Sequence, residues 1–304
     1  MFGKSSRRNG RSSSVCENME SLEVRRVPVG NITAAVQNGV LTVTGDSAAN
    51  DVEIAGNLSN RVTIAGFNQT KVNGVAPVNG KSVVTFTGIT DVVVVANDGN
   101  DRIVIKGNPD PVRFRDITVD SGAGDDVVEI RNVFATDDIN VTTQNGKDRV
   151  TLVAVNVGGA GVDNDQNDII VNTARTSSNA PDNDIVQFVD VSVKRDVSIQ
   201  TGADGDAVQL FDPRVLNPFQ ARQARPTDIG DDLTIDTGDA DDRVNLNLVN
   251  VADEINIELR DGNDALSVVR TTANEFNADG GSGQDTLFLL DNVFANFDED
   301  SFEL

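Results

Sequence analysis

Pairs of apolar residues spaced two apart recur along most of this chain, each pair just behind an acidic residue. Ile117/Val119, Ile139/Val141, Val197/Ile199, Leu233/Ile235 and Ile255/Ile257 follow Asp116, Asp138, Asp196, Asp232 and Glu254 at the first and third positions. A second set follows another acid at the second and fourth positions. Ile103/Ile105, Val128/Ile130, Val150/Leu152 and Val186/Phe188 stand behind Asp101, Asp126, Asp148 and Asp184. Val208/Leu210, Val244/Leu246, Leu266/Val268 and Leu287/Leu289 stand behind Asp206, Asp242, Asp264 and Asp285. Alternation of period two over so few residues predicts short strands with one face buried. The stretches between the sets, such as SGAGDD, NDGND and TGDADD, are rich in residues that tolerate positive φ. Each unit therefore reads as strand, Gly/Asp turn, strand.

The acids set the period. Asp91 and Asp101, Asp116 and Asp126, Asp138 and Asp148, Asp196 and Asp206, Asp232 and Asp242, Glu254 and Asp264, and Glu275 and Asp285 are pairs ten residues apart. Asp168 and Asp184 form an eighth pair if six extra residues sit in the turn. Successive first acids are separated by 25, 22, 30, 28, 36, 22 and 21 residues. A unit this small cannot bury its own apolar face, whereas stacked copies can. A short third strand fits at Asn132-Val133, Val191-Ser192-Val193, Asn250-Val251 and Asn292-Val293. The prediction is an all-β fold, a right-handed parallel β-helix (solenoid) of about eight coils and roughly 40 Å length.

Four segments follow from that reading. Residues 91–290 form the β-helix. Residues 30–90 keep strand patterning but lose the ten-residue spacing, and they read as an N-terminal β cap with a hairpin at Asn38-Gly39. Residues 291–304 form an acidic C-terminal cap, and the polar, basic residues 1–29 a disordered or sorting tail. Insertions at 156–167, 174–180 and 211–230 mark where the stack carries loops.

Composition narrows the chemistry. With 48 acidic against 25 basic residues the formal net charge is −23, which repels a phosphate backbone and excludes nucleic acid as partner. The chain has no His and a single Cys, Cys16, which excludes a Ser/His/Asp triad and a zinc cluster. No run of 18 apolar residues offers a transmembrane segment.

The segment ENMESLEVRRVPVGNITAAV, with Leu22, Glu23 and Arg25 as an L-E-x-R motif, resembles the opening of extracellular β-rich proteins of planctomycete-type bacteria. The Gly/Asp turns resemble divergent hemolysin-type calcium repeats. Gly280 to Phe288, GGSGQDTLF, fits the nonapeptide pattern in full, and Gly122-Ala123-Gly124-Asp125-Asp126 comes next. In the other turns Gln144, Asn97 or Arg260 stands where the second Gly belongs. These resemblances imply an exported bacterial protein, extracellular or on the cell surface.

Two carboxylate sets are candidates for Ca²⁺, since oxygen-only ligands select a hard cation. Stacking places Asp242, Asp264 and Asp285 in one turn column, where like charges about 4.8 Å apart repel. Asp236, Glu258 and Asp279 occupy the outward fourth position of three first strands. These three units are spaced by 22 and 21 residues and should stack in register, whereas the units of 30 and 36 residues can displace their acids. An alternative to a metal column is that each Asp accepts hydrogen bonds from backbone N–H groups of its own turn.

The outer set resembles, in arrangement, the calcium site of pectate-lyase-like enzymes. Such enzymes also need an Arg or Lys to take a proton, and Arg214, Arg222, Arg225 and Arg260 are the candidates. The outer strand faces carry few aromatics for sugar stacking, Phe288 being the exception. The expected function is thus a non-catalytic structural or adhesion β-solenoid of the cell surface, stabilised by calcium. Its partner is an extracellular polysaccharide or surface protein. The alternative is a calcium-dependent polysaccharide lyase-like or carbohydrate-binding β-helix protein. Nothing in the residues names an oligomeric state.

Overall fold

A computed structural model describes residues 30–57, 61–158, 167–174, 182–212 and 224–302. The tail 1–29 with its L-E-x-R motif and Cys16, and most of the three insertions with Arg214 and Arg222, lie outside the described residues. Among the described residues the chain is all-β, with 26 strands and no helix. No helix is long and apolar enough to cross a membrane.

The strands pair in a fixed order. Ile117–Asp120 lies parallel between Asp91–Val95 and Ile139–Thr142, with Ile117 opposite Val92 and Ile139. Ile169–Asn172, Val197–Gln200, Leu233–Asp236 and Glu254–Glu258 extend this first column. The second column runs in the same sense from Arg102–Gly107 through Val127–Ala135, Arg149–Val157, Ile185–Val193, Ala207–Phe211, Arg243–Asn247 and Ala265–Val269 to Thr286–Leu290. A short third column holds Val112–Phe114, residues 133–135, 155–157 and 191–193, Thr227–Ile229 and Val249–Val251. The chain turns a corner each time it passes from one column to the next. Non-glycine residues with positive φ stand at one of these corners, including Asn132 (54°), Ala154 (51°), Asp190 (56°), Leu248 (64°) and Arg270 (50°).

The apolar positions assigned from period two face the core. Ile103, Val128, Ile130, Val150, Leu152, Phe188, Leu246 and Val268 are buried, as are Ile117, Val119, Ile235 and Ile257. Each fully buried Val, Leu, Ile or Phe contributes on the order of 1.5–3 kcal/mol. The last unit departs from this pattern. Leu289 is 38% exposed and Leu287 only partly buried, because no further described strand covers Thr286–Leu290.

The N-terminal region corrects one expectation. Asn31–Gln37 and Val40–Thr44 form the antiparallel hairpin, with Asn38 (φ 52°) and Gly39 (φ 86°) as its turn. Val40–Thr44 then pairs parallel with Asp91–Val95, placing Val40 opposite Asp91. Asp51–Gly56 pairs parallel with Arg102–Gly107, and Asn50 occupies the place of Asp101. The ten-residue spacing is therefore kept there, between Val40 and Asn50. Neither residue is acidic, so the acid spacing does not reveal this layer. Among the described residues antiparallel pairing is confined to residues 33–87, two isolated bridges included, so the sheet is mixed. At the other end, within the acidic C-terminal segment, Val293–Asp300 adds one more parallel strand, with Phe297 opposite Phe276.

Candidate functional site

Two ladders of carboxyl groups run through the stack, one from each acid of the ten-residue pair. In the second-acid ladder, the backbone N–H of Asp101 donates to Asp126 Oδ1, that of Asp126 to Asp148, and that of Asp148 to Asp184. The series continues through Asp206, Asp242 and Asp264 to Asp285, all at 2.6–2.8 Å. Asn50 N–H opens the series on Asp101. The reason lies in the corner geometry. The residue after each Asp donates to the carbonyl of the preceding unit's Asp, for example Val127 N–H to Asp101 O, and the Asp N–H of the lower unit is left over. A buried N–H without a partner is strongly unfavourable, and the next carboxylate fills it.

The first-acid ladder runs the other way. Asp116 N–H donates back to Asp91 Oδ1, Asp138 to Asp116, Asp168 to Asp138, Asp196 to Asp168, Asp232 to Asp196 and Glu254 to Asp232, at 3.1–3.4 Å. In both ladders the acids serve a neighbouring unit's backbone, which corrects the own-turn alternative. The units of 30 and 36 residues do not displace their acids either. Asp148–Asp184 and Asp206–Asp242 each span 36 residues at ordinary length.

The glycines of GGSGQD have a packing role. Gly281 (φ 81°) and Gly283 (φ 149°) take backbone conformations that disfavour a side chain, and a Cβ at either would collide with the carbonyl oxygen of Arg260 or Gly262 in the preceding turn. Where Asn97, Gln144 or Arg260 replaces the second Gly, the residue keeps a left-handed φ of 68°.

The second-acid column is buried, each residue 0–2% exposed, and its Oδ2 atoms from Asp101 to Asp285 accept no hydrogen bond. Burial pushes seven of these carboxyls up: to about 7 for Asp101 and Asp206, about 8 for Asp126 and Asp242, about 6 for Asp148 and Asp264, and about 9 for Asp184. Backbone and hydroxyl donors oppose the rise, and neighbouring acids reinforce it. The first-acid column is mostly half-exposed, and desolvation raises Asp168 and Asp232 more modestly.

The six sequence-predicted site residues therefore divide. Asp242, Asp264 and Asp285 lie inside the stack, each with one oxygen on a neighbour's N–H. Asp236, Glu258 and Asp279 lie opposite one another on consecutive first strands, with Asp300 continuing the column. Arg260 Nε donates to Asp236 Oδ1 at 2.6 Å and its Nη2 to Oδ2, while Glu258 lies 3.8 Å from the same Nη2. These contacts, the hydrogen bond to Asp236 first, raise the Arg260 pKa and hold the guanidinium charged. Asp279 Oδ1 accepts Gly281 N–H at 2.9 Å. Asp236, Arg260, Gln200 and Asp239 line a depression of about 290 Å³. Arg225 sits elsewhere, beside Asn156, Ser192 and Asp228 on the third strands.

One cluster was missed by sequence reasoning. Carboxyl oxygens of Asp196, Asp231 and Asp232 lie within 4.8 Å of one another, with the Arg195 guanidinium 3.7 Å from Asp196 and 3.9 Å from Asp231. The Asp231-Asp232 doublet beside a ladder position was the available signal. Compared with known proteins, the chain matches no family model, no curated protein and no solved structure.

Proposed function

We propose that the chain is a non-catalytic structural or adhesion element of a bacterial cell surface or extracellular space, built as a right-handed parallel β-helix with an N-terminal β cap. The observation that carries this reading is the use of the acids. Each of the two ladders commits one carboxylate oxygen per unit to backbone N–H groups, which is stacking chemistry rather than substrate chemistry. Parallel registers in three strand columns support the β-helix, and the handedness follows from the bias of parallel crossovers. The outer faces are then available to an extracellular polysaccharide or a surface protein.

The lyase-like alternative needs Arg260 to take a proton beside an ion. Asp236 instead engages that guanidinium through two nitrogens and keeps it protonated. Any stabilising calcium in this reading is confined to the outer set, Glu258 and Asp279 with Asp300. Ca²⁺ takes six to eight oxygens, and the turn-column acids each offer one free oxygen in a sealed interior.

Small-angle scattering on the full chain should return an elongated particle that is unchanged by calcium. Incubation with acidic polysaccharides and calcium should yield no unsaturated sugar product. Such product, lost in Arg260→Gln, would replace this reading with the lyase. Calcium at millimolar concentration should raise the melting temperature by a few degrees, through mass action on the folded state, and Asp279→Asn should remove that rise.

A further inference from the structure

Within the buried ladder, Asp126, Asp148 and Asp184 each face a second buried oxygen without a partner. Ser121, Thr143 and Thr173 are fully buried, and their hydroxyl oxygens make no hydrogen bond, nor do the Oδ2 atoms of the three acids. Each hydroxyl acts on its own carboxyl and favours the ionised form, but burial, the larger effect, favours the neutral one. A buried carboxylate oxygen with no partner is strongly unfavourable, and a proton on the carboxyl removes the unpaired charge. The other oxygen, Oδ1, already accepts a backbone N–H, so the added proton belongs on Oδ2.

The charged groups facing these three acids are themselves acids. Asp101 and Asp148 face Asp126, Asp182 and Asp125 face Asp148, and Asp148 and Asp206 face Asp184. Among the described residues no Lys or Arg forms an ion pair with any of the three to support an ionised column.

We propose that Asp126, Asp148 and Asp184 are neutral carboxylic acids in the folded chain, each protonated on its buried Oδ2, so that the stack is locked by protons and loosens as they leave. This does not rest on the assigned function. The ordinary carboxyl value is 3.8, and the folded values are about 8, 6 and 9. Between those limits the folded chain holds more protons than the unfolded one. Stability is therefore fully present below about pH 4 and falls as pH rises through about 6 to 9.

The test measures proton uptake on refolding of the full chain, with its infrared spectrum at pH 7 and melting temperatures at pH 5 and 9. Asn keeps the Oδ1 acceptor and places an N–H donor at the Oδ2 position, so Asp126→Asn/Asp184→Asn copies the protonated state. The parent should show a protonated-carboxyl carbonyl band, and the double variant should bind about two fewer protons on folding at pH 7. The variant should match the parent at pH 5 and melt higher than it at pH 9. An absent band, or uptake unchanged in the variant, overturns the proposal. So does rescue of the parent, but not the variant, by calcium at pH 9, because a cation would then hold the column. If the variant does not fold, the parent's band and proton uptake decide the matter alone.

Discussion

The column that starts at Asp91 and the column that starts at Asp101 have the same task at different depths. Each acid accepts an N–H that the strand ladder leaves over, one from the unit after it and the other from the unit before it. The first column is largely half-exposed, and water can take over if a carboxylate is lost. The second is sealed, with bonds of 2.6–2.8 Å against 3.1–3.4 Å, and its acids from Asp101 to Asp264 are raised above the ordinary range. The pair teaches that position in a repeat does not set a side chain's chemistry. The dielectric around it does.

Substituting one acid in each column puts the greatest strain on that explanation. Asp148→Ala leaves the buried Asp126 N–H unpaired and should lower unfolding free energy by about 3 kcal/mol in denaturant titration. Asp116→Ala, which frees the N–H of the half-exposed Asp138, should lower it by about 1 kcal/mol. Equal losses would show that depth is not the deciding variable. Gly283→Ala tests the packing between the turns rather than the acids. The turn would have to separate from Gly262, and a loss of about 2 kcal/mol is expected, unrelieved by calcium. Salt should separate the columns more gently. Raising sodium chloride from 0.05 to 0.5 M screens the half-exposed acids and not the buried ones, so stability should rise by about 0.5 kcal/mol, an increment reduced in Asp138→Asn and kept in Asp148→Asn. The smallest effect belongs to the outer surface, where Arg260→Gln should change stability by about 0.5 kcal/mol or less, because Arg260 is about half exposed.

Much of this arrangement was legible before any coordinates. Period-two alternation marked Ile130, Val244 and Leu246 as inward, and the ten-residue spacing located both ladders, including Asp168 and Asp184 despite their longer turn. What stayed hidden was the side of the chain on which Asp242 and Asp285 lie. An acid beside a glycine turn reads as a solvated or metal-binding group, and only the stacking of turns shows that its neighbours are backbone amides. The same keying on charge lost the layer built from Val40 and Asn50. Asn50 still lends its N–H to Asp101, but an amide in place of a carboxylate broke the pattern being sought.

The distance along the chain between ladder partners has a consequence for how such a molecule can change in length. Asp242 and Asp264 are 22 residues apart, Asp206 and Asp242 are 36 apart, and the hydrogen bonds are 2.7 and 2.6 Å. Closing a flexible loop carries an entropy that grows only with the logarithm of its length, about 0.6 kcal/mol for each doubling. Going from 22 to 36 residues is less than one doubling, so the penalty is smaller than a single buried hydrogen bond. The stack therefore sets almost no upper limit on what is spliced between its strands. Segments bearing new recognition residues can be exchanged there while the ladder on either side keeps its register.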